Sequence, residues 1–249
     1  MRRPQALLLS LLLLLASPAA AQQGWHSAEH GACLAQAAGD PEGAVERARH
    51  WEALEGGAAP RHCLAVALIG TGRYSEAAYI LESLVNEVEA APDVRSALLA
   101  EAGNAWLLAN ELSRAIAAFD AAIGLAPEAA SLYVDRALAL ALAGDYWAAV
   151  DDLNAAEVLV PDRPDVLLFR ATAYRMLEVW ELAAADLERL LALDPGNAEA
   201  WLERGNLRRL TGDDDGARQD WLQVLQLDPA GPTGEAARRN LEQLDLKQD

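Results

Sequence analysis

Leucine and alanine recur through most of the chain with the periodicity of an amphipathic α-helix, and these stripes are broken at short, regular distances. Small-residue turns such as Ala143-Gly144-Asp145 and Thr211-Gly212-Asp213 separate neighbouring helical stretches. Prolines punctuate the pattern on a longer period: Pro127, Pro161, Pro195 and Pro229 follow one another at intervals of 34 residues. The reading is an all-α chain in which two helices and a turn form a unit and the unit repeats.

Units beginning at Ser96, Ala130, Pro164 and Ala198 align without a gap. Their eighth residue is small (Gly103, Ala137, Ala171, Gly205) and their twentieth is alanine (Ala115, Ala149, Ala183, Ala217). Their twenty-fourth is large and apolar (Phe119, Leu153, Leu187, Trp221). Small residues at two facing places let the helices of a hairpin approach closely, and the bulky residue one turn later fills the space beside them. Proline closes the second helix, because it lacks an N–H and disfavours helical geometry in the residue before it. A single hairpin leaves its apolar stripe in water, so successive hairpins are expected to stack into an α-solenoid.

These columns resemble the tetratricopeptide repeat family over residues 96–231. Trp201, Gly205, Gly212, Ala217, Trp221 and Pro229 carry one of the fullest matches, and Tyr174, Trp180, Ala183 and Pro195 another. Four residues depart from the pattern. Arg208 and Asp214 stand at aromatic places, and Asn110 and Glu178 replace the turn glycine.

The organisation expected is a leader (1–21), a degenerate hairpin (22–57), a divergent unit (58–95), and four units at 96–129, 130–163, 164–197 and 198–231. A capping helix (232–249) completes it. The divergent unit is marked by Gly72-Arg73-Tyr74-Ser75-Glu76-Ala77, and the degenerate one by Gly39-Asp40-Pro41 followed by Ala44, Ala48 and Trp51. From Glu235 to Leu246 an amphipathic pattern puts Ala236, Leu241 and Leu244 inward and Arg238, Arg239, Glu242 and Asp245 outward. A terminal cap needs that polar outer face.

The first 21 residues carry Arg2 and Arg3, an apolar run of 11 residues from Ala6 to Ala16, and a small-residue end at Ala19-Ala20-Ala21. This is the build of a secretory signal peptide cleaved after Ala21. The run is shorter than the roughly 18 apolar residues a bilayer span needs. The expectation is export in soluble form to the periplasm, with secretion as the alternative and no membrane insertion after cleavage. Composition narrows the partners: 20 Lys+Arg against 38 Asp+Glu give a formal charge of −18 over 249 residues. Such acidity excludes nucleic acid, whose phosphates require basic patches to displace their counterions.

Motifs for catalysis are absent: there is no Gly-rich phosphate loop, no H-E-x-x-H, no G-x-S-x-G and no dinucleotide fingerprint. No enzyme activity and no cofactor are expected. Asp213-Asp214-Asp215-Gly216 lacks the ligand spacing of a calcium loop and reads as a solvated turn. His26, His30, His50 and His62 all fall in the first two hairpins with Cys33 and Cys63, the chain's two cysteines. Two cysteines in an exported protein favour a Cys33–Cys63 disulfide. A zinc or copper site on the same cluster is the alternative, making the protein a metal-binding accessory.

In the resembled family, ligands lie in a concave groove made by the first helices. The resemblance places Ala97, Ala100, Asn104, Leu107 and Leu108 in that groove, then Ser131, Val134, Leu138, Ala141 and Leu142. The third set is Asp165, Leu168, Thr172, Arg175 and Met176, and the last Glu199, Leu202, Asn206, Arg209 and Leu210. The groove is apolar in its first half and carries two arginines in its second, suited to a peptide carboxylate. Against this, Arg175 and Arg209 could simply pair with Asp165 and Glu199. The function expected is an exported scaffold that binds a protein or peptide partner. A self-associating homo-oligomeric solenoid is the other reading.

Overall fold

The computed structural model describes residues 27–87 and 91–246. The expected leader, residues 22–26 of the expected degenerate hairpin with His26, and residues 247–249 of the expected capping segment lie outside them. Among the described residues there are thirteen helices and no strand. They divide into two compact units, one up to Ala90 and the other from Ala91.

The first unit holds α1 (Ala28–Gly39), α2 (Pro41–Glu55), α3 (Ala58–Gly70) and α4 (Tyr74–Glu87). Each packs on the next, and α1 also packs on α3. Local sequence sets the boundaries: the Asp40 carboxylate accepts from Gly43 N at 3.0 Å, capping α2, with Pro41 at its first position. The interior is Val45, Ala48, Trp51, Leu64, Leu68, Leu81 and Leu84.

The second unit holds α5 (Pro92–Leu108), α6 (Leu112–Leu125), α7 (Ala130–Leu142), α8 (Tyr146–Leu159), α9 (Pro164–Met176), α10 (Trp180–Leu193), α11 (Ala198–Leu210), α12 (Asp214–Leu227) and α13 (Pro232–Asp245). Consecutive helices pair as antiparallel hairpins, and each hairpin stacks on its neighbour. The second helices stop at Leu125, Leu159, Leu193 and Leu227, two residues before each repeat proline. Aromatic residues seal two of these corners: Tyr133 Oη donates to the Pro127 carbonyl at 3.0 Å, and Trp201 Nε1 to the Pro195 carbonyl at 2.8 Å.

The eighth-place glycines meet their twenty-fourth-place partners as the repeat pattern requires. A Cβ on Gly103 would stand 2.6 Å from Phe119 Cε1, and one on Gly205 would stand 2.6 Å from Trp221 Nε1. Where the column holds alanine, at Ala137 and Ala171, the facing residues are the smaller Leu153 and Leu187, all buried. Volume is therefore conserved across the hairpin seam rather than at either position alone.

The turn inside each hairpin from α3–α4 onward uses one left-handed residue: Gly72 (φ 79°), Asn110 (φ 60°), Gly144 (φ 85°), Glu178 (φ 61°) and Gly212 (φ 88°). Asn110 and Glu178 thus take the glycine geometry, and in each turn the following N–H reaches back to close the helix, as Asp213 N does to the Arg208 carbonyl at 2.8 Å. The last helix begins at Pro232, three residues before the amphipathic pattern read from Glu235 and at the first residue of the expected 232–249 segment, because Asp228 accepts from Gly231 N and Gly234 N and the proline fits the first turn. Leu244 is buried as expected. The deepest alanine is Ala237, while Ala236 is half-buried.

Candidate binding surface

Within the second unit the two kinds of helix are not equivalent. The first helices touch one another directly, α5 on α7, α7 on α9, α9 on α11 and α11 on α13, whereas successive second helices do not pack together to that degree. The first helices are therefore the crowded side of the stack and form its inner face. α13 continues this row: Asn240 Nδ2 donates to Asn206 Oδ1 at 2.8 Å, one repeat away.

The inner face exposes a row of apolar ends. Leu108, Leu142, Met176 and Leu210, each the thirteenth residue of its unit, are 53%, 59%, 45% and 46% exposed, and Leu138 joins them at 37%. Large apolar side chains left in water once per repeat form a continuous feature rather than scattered surface residues. Other expected groove residues sit differently. Asn104 is exposed. Val134 and Leu168 are buried in the hairpin cores, because the fifth place of the helix turns toward the stacking seam. The Thr172 hydroxyl donates to the Leu168 carbonyl of its own helix at 3.0 Å.

The two expected arginines differ. Arg175 Nε donates to Glu203 Oε1 at 2.5 Å, so its charge is met from the next hairpin. Arg209 is half-buried and forms no ion pair among the described residues. Asp165 is held by Arg163 (Nε–Oδ1 3.1 Å), and the Arg163 guanidinium keeps its carboxyl below the usual carboxylate range. Neither pairing of Arg175 with Asp165 nor of Arg209 with Glu199 occurs among the described residues.

Two features escaped the sequence reading. One is the sixth place of the first helix, which holds a carboxylate in three of the four units, at Glu101, Asp135 and Glu203. It lies on the same helix face as the second, ninth and thirteenth places, and that spacing could have flagged it. Asp135 is half-buried, and desolvation raises its carboxyl above the ordinary range; nearby Arg163 opposes this and Asp165 adds to it. The other is a ladder of buried ion pairs carried by the 34-residue period. Arg136 Nε donates to Asp152 at 2.7 Å, Arg170 Nε to Asp186 at 2.7 Å and Arg204 Nε to Asp220 at 2.9 Å. Arg208, at an aromatic place, adds a second cation on Asp220 at 2.9 Å.

In the first unit, Cys33 on α1 and Cys63 on α3 have their Sγ atoms 1.95 Å apart and their Cα atoms 6.1 Å apart. Beside them His30 Nε2 and His62 Nδ1 are 3.0 Å apart, both residues buried and the His30 ring near Trp51. His50 is exposed. Among the described residues no group of three or more His, Cys, Asp and Glu is arranged to hold a metal ion. No helix there is long and apolar enough to cross a membrane.

A family model described as tetratricopeptide repeat matches residues 101–164 and 170–234. No curated protein matches the chain. Among solved structures it is similar to MamA from Desulfovibrio magneticus at 19% identity and TM-score 0.62, covering 70% of this chain and 97% of that one. YrrB, described as a TPR protein with an unusual peptide-binding site, is similar at 16% identity and TM-score 0.57, over 77% and 96%. A thermophilic TPR protein in Thermus thermophilus is similar at 20% identity and TM-score 0.58, over 76% and 99%. These likenesses are of fold.

Proposed function

The chain belongs to the tetratricopeptide repeat family, and from that premise we propose that it is an exported, non-catalytic scaffold whose second unit binds a protein or peptide along its inner face. The observation that carries this reading is the exposed row Leu108, Leu142, Met176 and Leu210. Burying exposed apolar surface is favourable by about 25 cal/mol per Å², and a segment lying across the first helices would cover all four ends. Peptide binding by YrrB, as described for that protein, agrees with this use of the fold. Asn104, Leu108 and Leu138 are the contacts of the apolar half, with Thr172, Asn206 and Arg209 beside it. Arg175 serves through its pair with Glu203, and Val134 supports from beneath. The periplasm is the compartment proposed, and the Cys33–Cys63 bridge suits an oxidising one. Closing that 30-residue separation would stabilise the first unit by about 3 kcal/mol.

The test is capture of partners from a periplasmic extract by the wild-type chain and by Leu142→Ser/Met176→Ser. Both positions are exposed, so the variant should fold. Loss of the captured set supports the inner face as the binding site, and an unchanged set removes it. Thiol alkylation of the unreduced protein tests the compartment: labelling at Cys33 or Cys63 would contradict the bridge.

A further inference from the structure

We infer that the inner face selects a basic peptide segment, one that places a lysine or arginine on Asp135 and apolar side chains on Leu138, Leu142 and Met176. This rests on the inner-face reading above and specifies its partner. Asp135, Leu138 and Leu142 stand at intervals of three and four residues on α7, so they share one face of the helix over about 10 Å of its length. The apolar residues there are exposed, and the carboxylate stands one turn away from them.

Asp135 is the group without a native partner. Among the described residues it accepts no hydrogen bond and forms no ion pair. The cation whose charge acts on it, Arg163, is committed to Asp165 through Nε–Oδ1 at 3.1 Å and Nη2–Oδ2 at 2.5 Å. A half-buried carboxylate with no donor costs stability and is relieved by a charged donor arriving from outside. Two other carboxylates stand at the equivalent place, Glu101 and Glu203; Glu203 already has its donor in Arg175, and Glu101 is not without a partner. Asp135 is therefore the open carboxylate at this place of the repeat.

Charge selects among occupants. A second copy of this chain would bring a net charge of −18 to a face that already offers an unpaired carboxylate. At the Leu138, Leu142 and Met176 patch a peptide carboxylate would find Arg175 occupied and Asp135 opposing it; Arg209, unpaired among the described residues, stands one hairpin further along, on α11. A cationic segment meets attraction from both the local group and the whole molecule, which also speeds encounter.

The experiment uses three synthetic 14-residue peptides with leucine on one helical face and lysine, glutamine or glutamate on the flanks. Binding to the full chain is followed by fluorescence anisotropy at two salt concentrations. The lysine peptide should bind tightest, and Asp135→Asn should weaken it about tenfold, the loss of one charge-assisted hydrogen bond. The glutamine peptide should be indifferent to that substitution, whereas Leu142→Ser/Met176→Ser should weaken both. If the lysine peptide binds Asp135→Asn as well as wild type, or the glutamate peptide binds equally well, the basic-segment inference is overturned. Glutamine-peptide binding that still depends on Leu142 and Met176 would, in that case, leave the inner-face reading standing. If no peptide binds, or binding is indifferent to Leu142 and Met176, both readings fall.

Discussion

Gly205 tests whether the repeat columns are a packing code. The residue is buried in the middle of α11, and an added Cβ would lie 2.6 Å from Trp221 Nε1 and 2.7 Å from Cδ1. Two effects compete in Gly205→Ala. Alanine is the better helix former by about 1 kcal/mol. Overpacking a filled core costs about 1–3 kcal/mol, and Trp221 is 0% exposed, with no empty side into which it can swing. The clash wins, and a net loss of about 1–2 kcal/mol is expected. Trp221→Leu alone leaves a cavity beside Gly205 and should cost about 2–4 kcal/mol. The lower end is favoured because the indole N–H it removes has no hydrogen-bond partner among the described residues. The double variant Gly205→Ala/Trp221→Leu recreates the Ala–Leu combination found at Ala137–Leu153 and Ala171–Leu187. It should be more stable than the sum of the singles by about 1–2 kcal/mol. Urea unfolding of the four proteins followed by circular dichroism measures this coupling. Strict additivity, or a Gly205→Ala variant as stable as wild type, would refute the packing code.

Three further outcomes follow from the geometry. Glu178→Gly relieves a bulky side chain at φ 61° and should raise stability by about 0.5–1 kcal/mol, while the same change at exposed Glu181 inside α10 should lower it; thermal melts distinguish the two. Asp220→Ala strips the shared partner from Arg204 and Arg208 and should cost about 2–4 kcal/mol, because Arg204 remains half-buried without a carboxylate and Arg208 keeps only Asp213 at 3.7 Å. Urea midpoints should place it well below Asp214→Ala, an exposed control. The third outcome concerns pH. The raised Asp135 carboxyl binds its proton more tightly in the folded state, so its favourable contribution is present at low pH and lost as pH rises through the raised value. Asp135→Asn should therefore melt higher than wild type at pH 7, with the gap closing toward the ordinary carboxylate value of 3.8. A gap independent of pH would contradict the buried, unpartnered placement.

The amino-acid pattern alone determined the hairpin unit, its length and its closing prolines, because these depend on contacts within 34 residues and on local backbone rules. Gly103, Ala115 and Phe119 announce their own packing, and even the substituted turns at Asn110 and Glu178 keep the geometry that glycine specifies elsewhere. Charge pairing was decided only in three dimensions. Arg175 meets Glu203 from the following hairpin rather than Asp165 on its own helix, since side-chain reach depends on how hairpins stack. The same stacking buries Val134 and leaves Leu138 exposed one turn later, although both had been assigned to one face. It also leaves Asp135 without a donor, while Arg163, whose charge acts on it, bonds the carboxylate two residues along its own chain. Periodicity fixes which residues lie on a helix face; the angle between neighbouring helices decides which of them water, or a partner, can touch.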